Sequence, residues 1–315
     1  MPVLESTYPT PRRLYRNGHI STILHGGLGR PPRPPYVRER LTLSDGDFVD
    51  LDWVRTDSNR LLVLTHGLEG DSDRPYIRRL ANYFAEHGWD VLAWMCRSCS
   101  GELNRAPRLY HHGEIDDLGE VIDHALATGG YERLGLVGLS MGGNISLKYL
   151  GVHGAEAPPQ ITHAVTFSSP LDLGASAAVL DRPSNLIYRR RFMRMLLDKM
   201  RAKERQYPGL LDFSKLKEVR RWRDFDEYFS APLSGFASAA AFYEQASALH
   251  FIDGIRRPVL VVQALDDPIL APACFPYERA NRHEFVHLEP TRYGGHVAFP
   301  SRNNWLCRRT EAWLS

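Results

Sequence analysis

Leu134-Gly-Leu-Val-Gly-Leu-Ser-Met-Gly-Gly143 decides how this chain is read. Leu134 to Val137 is a short apolar run that reads as a buried strand, and Asn144-Ile-Ser-Leu-Lys-Tyr-Leu150 beyond it is compatible with a helix. Between them Gly138-Leu139-Ser140-Met141-Gly142 forms a G-x-S-x-G pentapeptide. The strand is expected to break at Gly138 and the helix to start near Met141. A strand that turns sharply into a helix leaves little room around the turn, so glycines two before and two after the serine remove side-chain clashes. The turn lifts the Ser140 hydroxyl clear of the sheet. The helix start leaves the Met141 N–H unpaired and aimed at incoming negative charge. The pentapeptide alone is a weak signal; the apolar run before it and the helical pattern after it strengthen it. The competing account is an ordinary glycine-rich strand-to-helix turn.

The chain of 315 residues can form one large domain or two small ones, and 43% apolar residues is an ordinary globular composition. A net charge of +2 gives no reason to expect a nucleic-acid partner, and none is expected. The opening Met1-Pro-Val-Leu-Glu-Ser-Thr-Tyr-Pro-Thr-Pro lacks the apolar core of a secretory signal, and no apolar run approaches a membrane span. The four cysteines are Cys96, Cys99, Cys274 and Cys307. Without a signal, a disulfide framework is not expected, and a reducing, cytoplasmic location is.

Residues 1–36 are rich in Pro, Arg and Gly, with Arg30-Pro-Pro-Arg-Pro-Pro35 extended, and read as an arm packed across the surface. Glu39–Leu43 and Phe48–Trp53 alternate around Asp45-Gly46 as a β-hairpin. From Arg60 strands and helices alternate. Strands are expected at 61–64, 89–95, 134–137, 161–167, 258–265 and 284–288. Helices are expected at 75–87, 114–127, after Ser140, at 272–282 and at 303–314. Such alternation gives an α/β fold, a mostly parallel sheet with helices on both faces. Residues 170–250 interrupt it with no strand signal, and Met193, Leu196, Leu197 and Met200 fall at helical spacing. Within 189–223 thirteen Lys/Arg face four acids, which leaves the remainder of the chain at −7. A solvated face is the plain account of that charge. The sharper one is attraction to an anionic membrane surface or an anionic substrate.

A serine is a poor nucleophile at neutral pH until a base takes its proton and a carboxylate orients that base. Leu265-Asp266-Asp267-Pro268 follows the strand 258–265, and Gly294-Gly-His296 follows the strand 284–288 in a glycine-rich turn. His296 is therefore the candidate base, and either Asp266 or Asp267 its orienter.

The order Ser140, acid, His296 at strand ends resembles the α/β-hydrolase superfamily. Further motifs resemble its YheT-like branch of esterases and phospholipases over nearly the whole chain. They are Asn17-Gly-His-Ile-Ser-Thr22, Asp45-Gly-Asp-Phe48, His66-Gly-Leu-Glu-Gly70, Cys99-Ser-Gly-Glu102, Pro107-Arg-Leu-Tyr-His111, Gly138 to Asn144, Ala264-Leu-Asp-Asp-Pro268 and Gly294-Gly-His296. The resemblance implies an esterase with Ser140, Asp267 and His296 as its triad. Asp267 is preferred because the superfamily's acid precedes a variable residue and two apolar ones, here Pro268-Ile269-Leu270. It also implies an oxyanion hole from the backbone N–H groups of Leu68 and Met141. A helical cap is implied at 170–250, over a core of 37–169 and 251–315. His66, Glu69, Tyr110 and His111 are candidates for the substrate pocket, with His66 expected to fix its loop rather than move protons. Arg97-Ser98 departs from the branch, where Arg-Gly is expected.

No cofactor or metal is expected. Cys96-Arg-Ser-Cys99 has no second ligand pair, since Cys274 and Cys307 do not form one, and it follows too late a strand for a redox motif. His111-His112 lacks an H-E-x-x-H context, and Gly138 to Gly143 lacks the spacing of a nucleotide-binding loop. The expected reaction is hydrolysis of a short- to medium-chain acyl ester through a Ser140 acyl-enzyme. Alternatives are acyl transfer to an alcohol and a non-catalytic ligand-binding member of the fold.

Overall fold

The computed structural model describes residues 3–315. Eight strands form one sheet: β1 (Val37–Thr42), β2 (Phe48–Val54), β3 (Arg60–Thr65), β4 (Asp90–Met95), β5 (Arg133–Leu139), β6 (Ile161–Phe167), β7 (Val259–Ala264) and β8 (Val286–Thr291). Their order is β1-β2-β4-β3-β5-β6-β7-β8. The β1–β2 and β2–β4 pairs are antiparallel and the rest are parallel. The chain winds from β3 outward to β4, then returns to β5 on the other side of β3. The C-terminal ends of β3 and β5 therefore flank the crevice where doubly wound sheets bind ligands.

The principal helices are α1 (Pro75–Glu86), α2 (Ile115–Gly129), α3 (Met141–His153), α4 (Leu173–Leu180), α5 (Leu186–Gln206), α6 (222–233), α7 (Ala239–Ala246), α8 (Tyr277–Arg282) and α9 (Trp305–Leu314). Pro75 begins α1, where its missing N–H costs nothing, and Gly88, in left-handed geometry at φ 72, lies just past its end. Tyr76, Ile77, Leu80, Ala81 and Phe84 make one apolar face of α1, packed with Trp305, Leu306 and Leu314 of α9 on one side of the sheet. Helices α2 and α3 cover the other side through residues such as Leu118, Val121, Ile145 and Leu150. Each large aliphatic or aromatic side chain buried this way contributes about 1.5–3 kcal/mol.

Between β6 and β7 the described chain carries helices α4 to α7 and short 3₁₀ turns. Tyr188, Leu196, Met200, Trp222, Phe225 and Phe229 form a satellite core there, which includes Leu109 and Ile269 from the loops after β4 and β7. These helices therefore pack over the C-terminal edge of the sheet.

Several boundaries differ from the sequence reading. Strand β5 runs on to Leu139, because Gly138 still pairs in register with Thr65 and Thr166. The helix expected at 272–282 is a 3₁₀ turn, Pro272–Cys274, followed by α8. Pro276 explains the break, since it lacks an N–H and disfavours helical geometry at Phe275. Strand β8 extends through Pro290, which an edge strand tolerates. The basic stretch is not wholly solvated. Lys203 is fully buried, its Nζ held by the carbonyls of Asn104 at 2.5 Å and Ala106 at 2.6 Å.

The arm crosses much of the molecule. Leu4 donates its N–H to Leu288 of β8, and Arg78 and Asn82 of α1 donate to the carbonyls of Pro31 and Pro32. Between these anchors residues 18–27 form a tight helical turn that runs into π-type turns beside the ends of β7 and β8.

Candidate active site

Ser140 sits between β5 and α3 with φ 54 and ψ −121, a backbone conformation that costs about 1–3 kcal/mol. The flanking glycines make it possible. A Cβ at Gly138 would lie 2.4 Å from the Gly142 carbonyl oxygen, and one at Gly142 would lie 2.2 Å from that of Thr65. The turn is fixed by the Ser140 N–H donating to Phe167 O at 2.9 Å.

The structure brings Ser140, Asp267 and His296 together. His296 Nδ1 lies 2.9 Å and 3.1 Å from the two Asp267 carboxylate oxygens. A carboxylate can only accept, so Nδ1 carries the proton and Nε2 is the acceptor. The Ser140 hydroxyl lies 2.8 Å from that Nε2 and can donate to it. Asp267 Oδ1 also accepts from the N–H groups of Ile269 at 2.9 Å and Leu270 at 3.3 Å, which hold the carboxylate in place. Asp266 faces elsewhere: its Oδ1 accepts from Gly295 N at 2.9 Å, and burial pushes its carboxyl pKa up.

The loop after β3 closes against the serine. A Cβ at Gly67 would be 3.1 Å from Ser140 Cβ. Among the described residues neither the Leu68 N–H nor the Met141 N–H donates to a protein acceptor. His66 is buried, with Nδ1–H donating to Gly67 O at 2.7 Å and Nε2 accepting from Cys96 N at 3.1 Å. Burial lowers its pKa to about 4, so the ring is a neutral brace for the loop.

Residues 60–290 match the family model for the alpha/beta hydrolase fold. The Escherichia coli K12 protein named "Putative esterase YheT" is 33% identical, over 97% of this chain and 92% of its own length. The chain belongs to the α/β-hydrolase family, in its YheT-like branch. Mouse "Phospholipase ABHD3" is 28% identical over 94% of this chain and 74% of its own length. Among solved structures the Pyrococcus furiosus esterase Pf2001 superposes with a TM-score of 0.61 at 18% identity, covering 91% of this chain and 97% of that one.

In this α/β-hydrolase two adjacent spaces are lined by Ser140 and His296. An inner one of about 50 Å³ is walled by Leu173, Ala177, Leu180, Phe192, Trp222 and Phe242. An outer one of about 240 Å³ is walled by Thr22, Ile23, Arg74, Ile187, Arg191 and Met195, among others. Leu68 touches both.

None of the four pocket candidates lines these spaces. His66 is turned into its own loop, as above. The Glu69 carboxylate accepts from Tyr110 Oη at 2.6 Å and Lys199 Nζ at 2.8 Å, so it faces the packed interior. Tyr110 and His111 wall a separate recess of about 40 Å³, which shares Leu68, Trp222 and Phe242 with the inner space. His112 lines both, and burial alone lowers its pKa to about 4.

Other contributors were not among the site residues expected from the sequence. Thr22 Oγ1 accepts from the His296 N–H at 2.8 Å and donates to Gly18 O at 2.6 Å. Asn144 donates to the carbonyls of His112 and Ala246, both at 2.8 Å, and accepts from Ala248 N at 2.9 Å, tying α3 to the loops around the cavity. Thr22 and Asn144 stand in the quoted motifs, which is the signal that could have found them. Ser98 takes φ 62, the left-handed geometry for which glycine is expected. Its hydroxyl compensates by donating to Asn104 Oδ1 at 2.6 Å and accepting from Asn104 N at 3.0 Å.

Proposed function

We propose that the chain cleaves carboxylic esters through an acyl-enzyme on Ser140. The observation that carries this reading is the continuous hydrogen-bond line from Ser140 Oγ through both ring nitrogens of His296 to Asp267. His296 Nε2 takes the serine proton as Oγ attacks the ester carbonyl, then gives it to the departing alkoxide. A water molecule next loses a proton to the same nitrogen and attacks the acyl carbon; the acyl–Oγ bond breaks, His296 returns the proton to Ser140 Oγ, and the acid leaves. Asp267 keeps the ring in its productive tautomer and supports the imidazolium. Negative charge on the carbonyl oxygen is received by the N–H groups of Met141 and Leu68, a contribution of about 3–4 kcal/mol per donor where it has been removed in other enzymes.

We read 37–169 and 251–315 as the hydrolase core, 170–250 as the cap and 1–36 as the arm. On this reading the inner apolar space takes a short acyl chain, and the outer one takes the alcohol portion. The intact serine, histidine and aspartate favour catalysis over simple ligand binding.

A fluorophosphonate reagent tests the proposal. Wild type should be labelled and Ser140→Ala should not. A folded wild type that resists labelling overturns it. A p-nitrophenyl ester chain-length series then ranks the acyl space, and product ratios in added ethanol separate hydrolysis from acyl transfer.

A further inference from the structure

The outer cavity opens through a rim built by two distant segments. Ile23 and Leu28 come from the arm, and Ile187 comes from the start of α5. All three remain exposed, at 39%, 66% and 68%, and Leu14 and Leu24 on the same arm are 54% and 41% exposed. Single exposed aliphatic residues are ordinary, but five of the nine most exposed large apolar side chains among the described residues gather on these two segments.

The same segments are cationic. Arg12, Arg13 and Arg16 on the arm, and Arg190, Arg191 and Arg194 on α5, are all exposed. None of the six pairs with a carboxylate among the described residues. The neighbouring acids are engaged elsewhere: Asp181 with Arg189, Asp198 with Arg201, and Asp71 with Arg74. Aliphatic side chains that enter an apolar phase, beside unpaired guanidinium groups that meet anionic head groups, describe a surface that rests on lipid.

We propose that this rim docks on an anionic lipid surface, with the mouth of the Ser140 cavity facing the bilayer. Charge complementarity selects the occupant. A nucleic acid would satisfy the arginines and offer nothing to Leu14, Leu24 and Leu28. No helix among the described residues is long and apolar enough to cross a membrane, and the contact proposed here is lateral. An ester in the facing leaflet then reaches Ser140 through the outer cavity. That delivery role rests on the proposed esterase function; docking itself does not.

Docking is therefore measured on full-length Ser140→Ala, by co-sedimentation with phosphatidylcholine vesicles and with vesicles containing one-third phosphatidylglycerol. The protein should pellet with the anionic vesicles only, and less as salt rises. Paired Arg190→Ser and Arg194→Ser should weaken pelleting roughly tenfold. Paired Leu14→Ser and Leu24→Ser should weaken it several-fold. With Ser140 restored, both pairs should hydrolyse soluble p-nitrophenyl butyrate at the parent rate, since none of the four residues lines the cavity. Equal pelleting with both vesicle types, no pelleting, or unaltered pelleting of the variants overturns the proposal. So does equal retention on duplex DNA with no effect of the leucine pair. Inactivity on the soluble ester would instead count against the esterase reading.

Discussion

Lys199 reaches from α5 to the loop after β3 and donates to the Glu69 carboxylate at 2.8 Å. The contact joins the helical segment to the residue next to Leu68. Glu69 itself holds φ 53, and the same ammonium lies 3.2 Å from Cys99 Sγ and 5.1 Å from the centre of the Tyr110 ring. Lys199 thus acts on the proposed oxyanion donor through Glu69, as a positioning residue.

Lys199→Met should therefore lower kcat about tenfold with little change in KM. It should also destabilise the fold by about 3 kcal/mol, because it leaves a buried carboxylate without its cation. Adding Glu69→Gln should recover part of the stability. Steady-state kinetics and urea unfolding of the single and double variants check both effects. Equal kcat in Lys199→Met and wild type would confine the pair to structure.

Asp267→Asn should reduce kcat about ten-thousandfold, since the amide presents the wrong partner to His296 Nδ1. Asp266→Asn should stay within several-fold of wild type, because an amide oxygen still accepts from Gly295 N, which Asp266 now holds at 2.9 Å. The comparison is made on one soluble ester at neutral pH. Loss of turnover only at position 266 would reverse the assignment.

Thr22→Val removes the acceptor of the His296 N–H while keeping the side-chain shape. A buried donor without a partner costs about 1–3 kcal/mol, and the loop carrying His296 should shift to relieve it. We expect kcat to fall about tenfold, with recovery in Thr22→Ser. Gly18→Ala should produce a similar loss by another route, since its Cβ would fall 1.7 Å from the Asp266 carbonyl oxygen and lift the arm away. A Thr22→Val enzyme with wild-type kcat would leave the arm no part in positioning His296.

The elbow at Ser140, the Asp266-Asp267 pair and the turn at His296 each declare themselves locally, by residue type at the end of an apolar run. So does the alternation that builds the sheet. The Thr22 contact does not, because it spans 274 residues and ends on a backbone N–H that no pattern encodes. Lys199 reads as one solvated charge of the basic stretch, and Glu69 as a pocket residue, until the fold turns them toward each other. The cavity walls come from helices whose apolar faces serve equally for their own core, so periodicity finds the helices and not the pocket. Pro276 shows the opposite error, a local breaker inside a segment read as continuous.

His112 supplies a pH-dependent prediction. Its ring stands beside Phe242 with ring centres 6.4 Å apart, and burial holds its pKa at about 4 against 6.5 when unfolded. Between those values the unfolded chain binds a proton that the folded chain does not. Stability from this residue is therefore fully present above pH 6.5 and lost as pH falls toward 4. Histidines 66 and 111 act in the same direction, with pKa values lowered to about 4 and about 3. Glu114 and Asp226 oppose them, since burial raises their pKa values to about 7 and about 6. Wild type alone thus reports a sum, and a variant is needed to isolate one group. His112→Gln removes the titration while keeping a polar side chain of similar size. Relative to this variant, wild type should lose on the order of 2 kcal/mol between pH 7 and pH 4. Urea midpoints of both proteins at the two pH values measure the difference, and a difference independent of pH would mean that His112 is protonated as readily in the folded state as in the unfolded one.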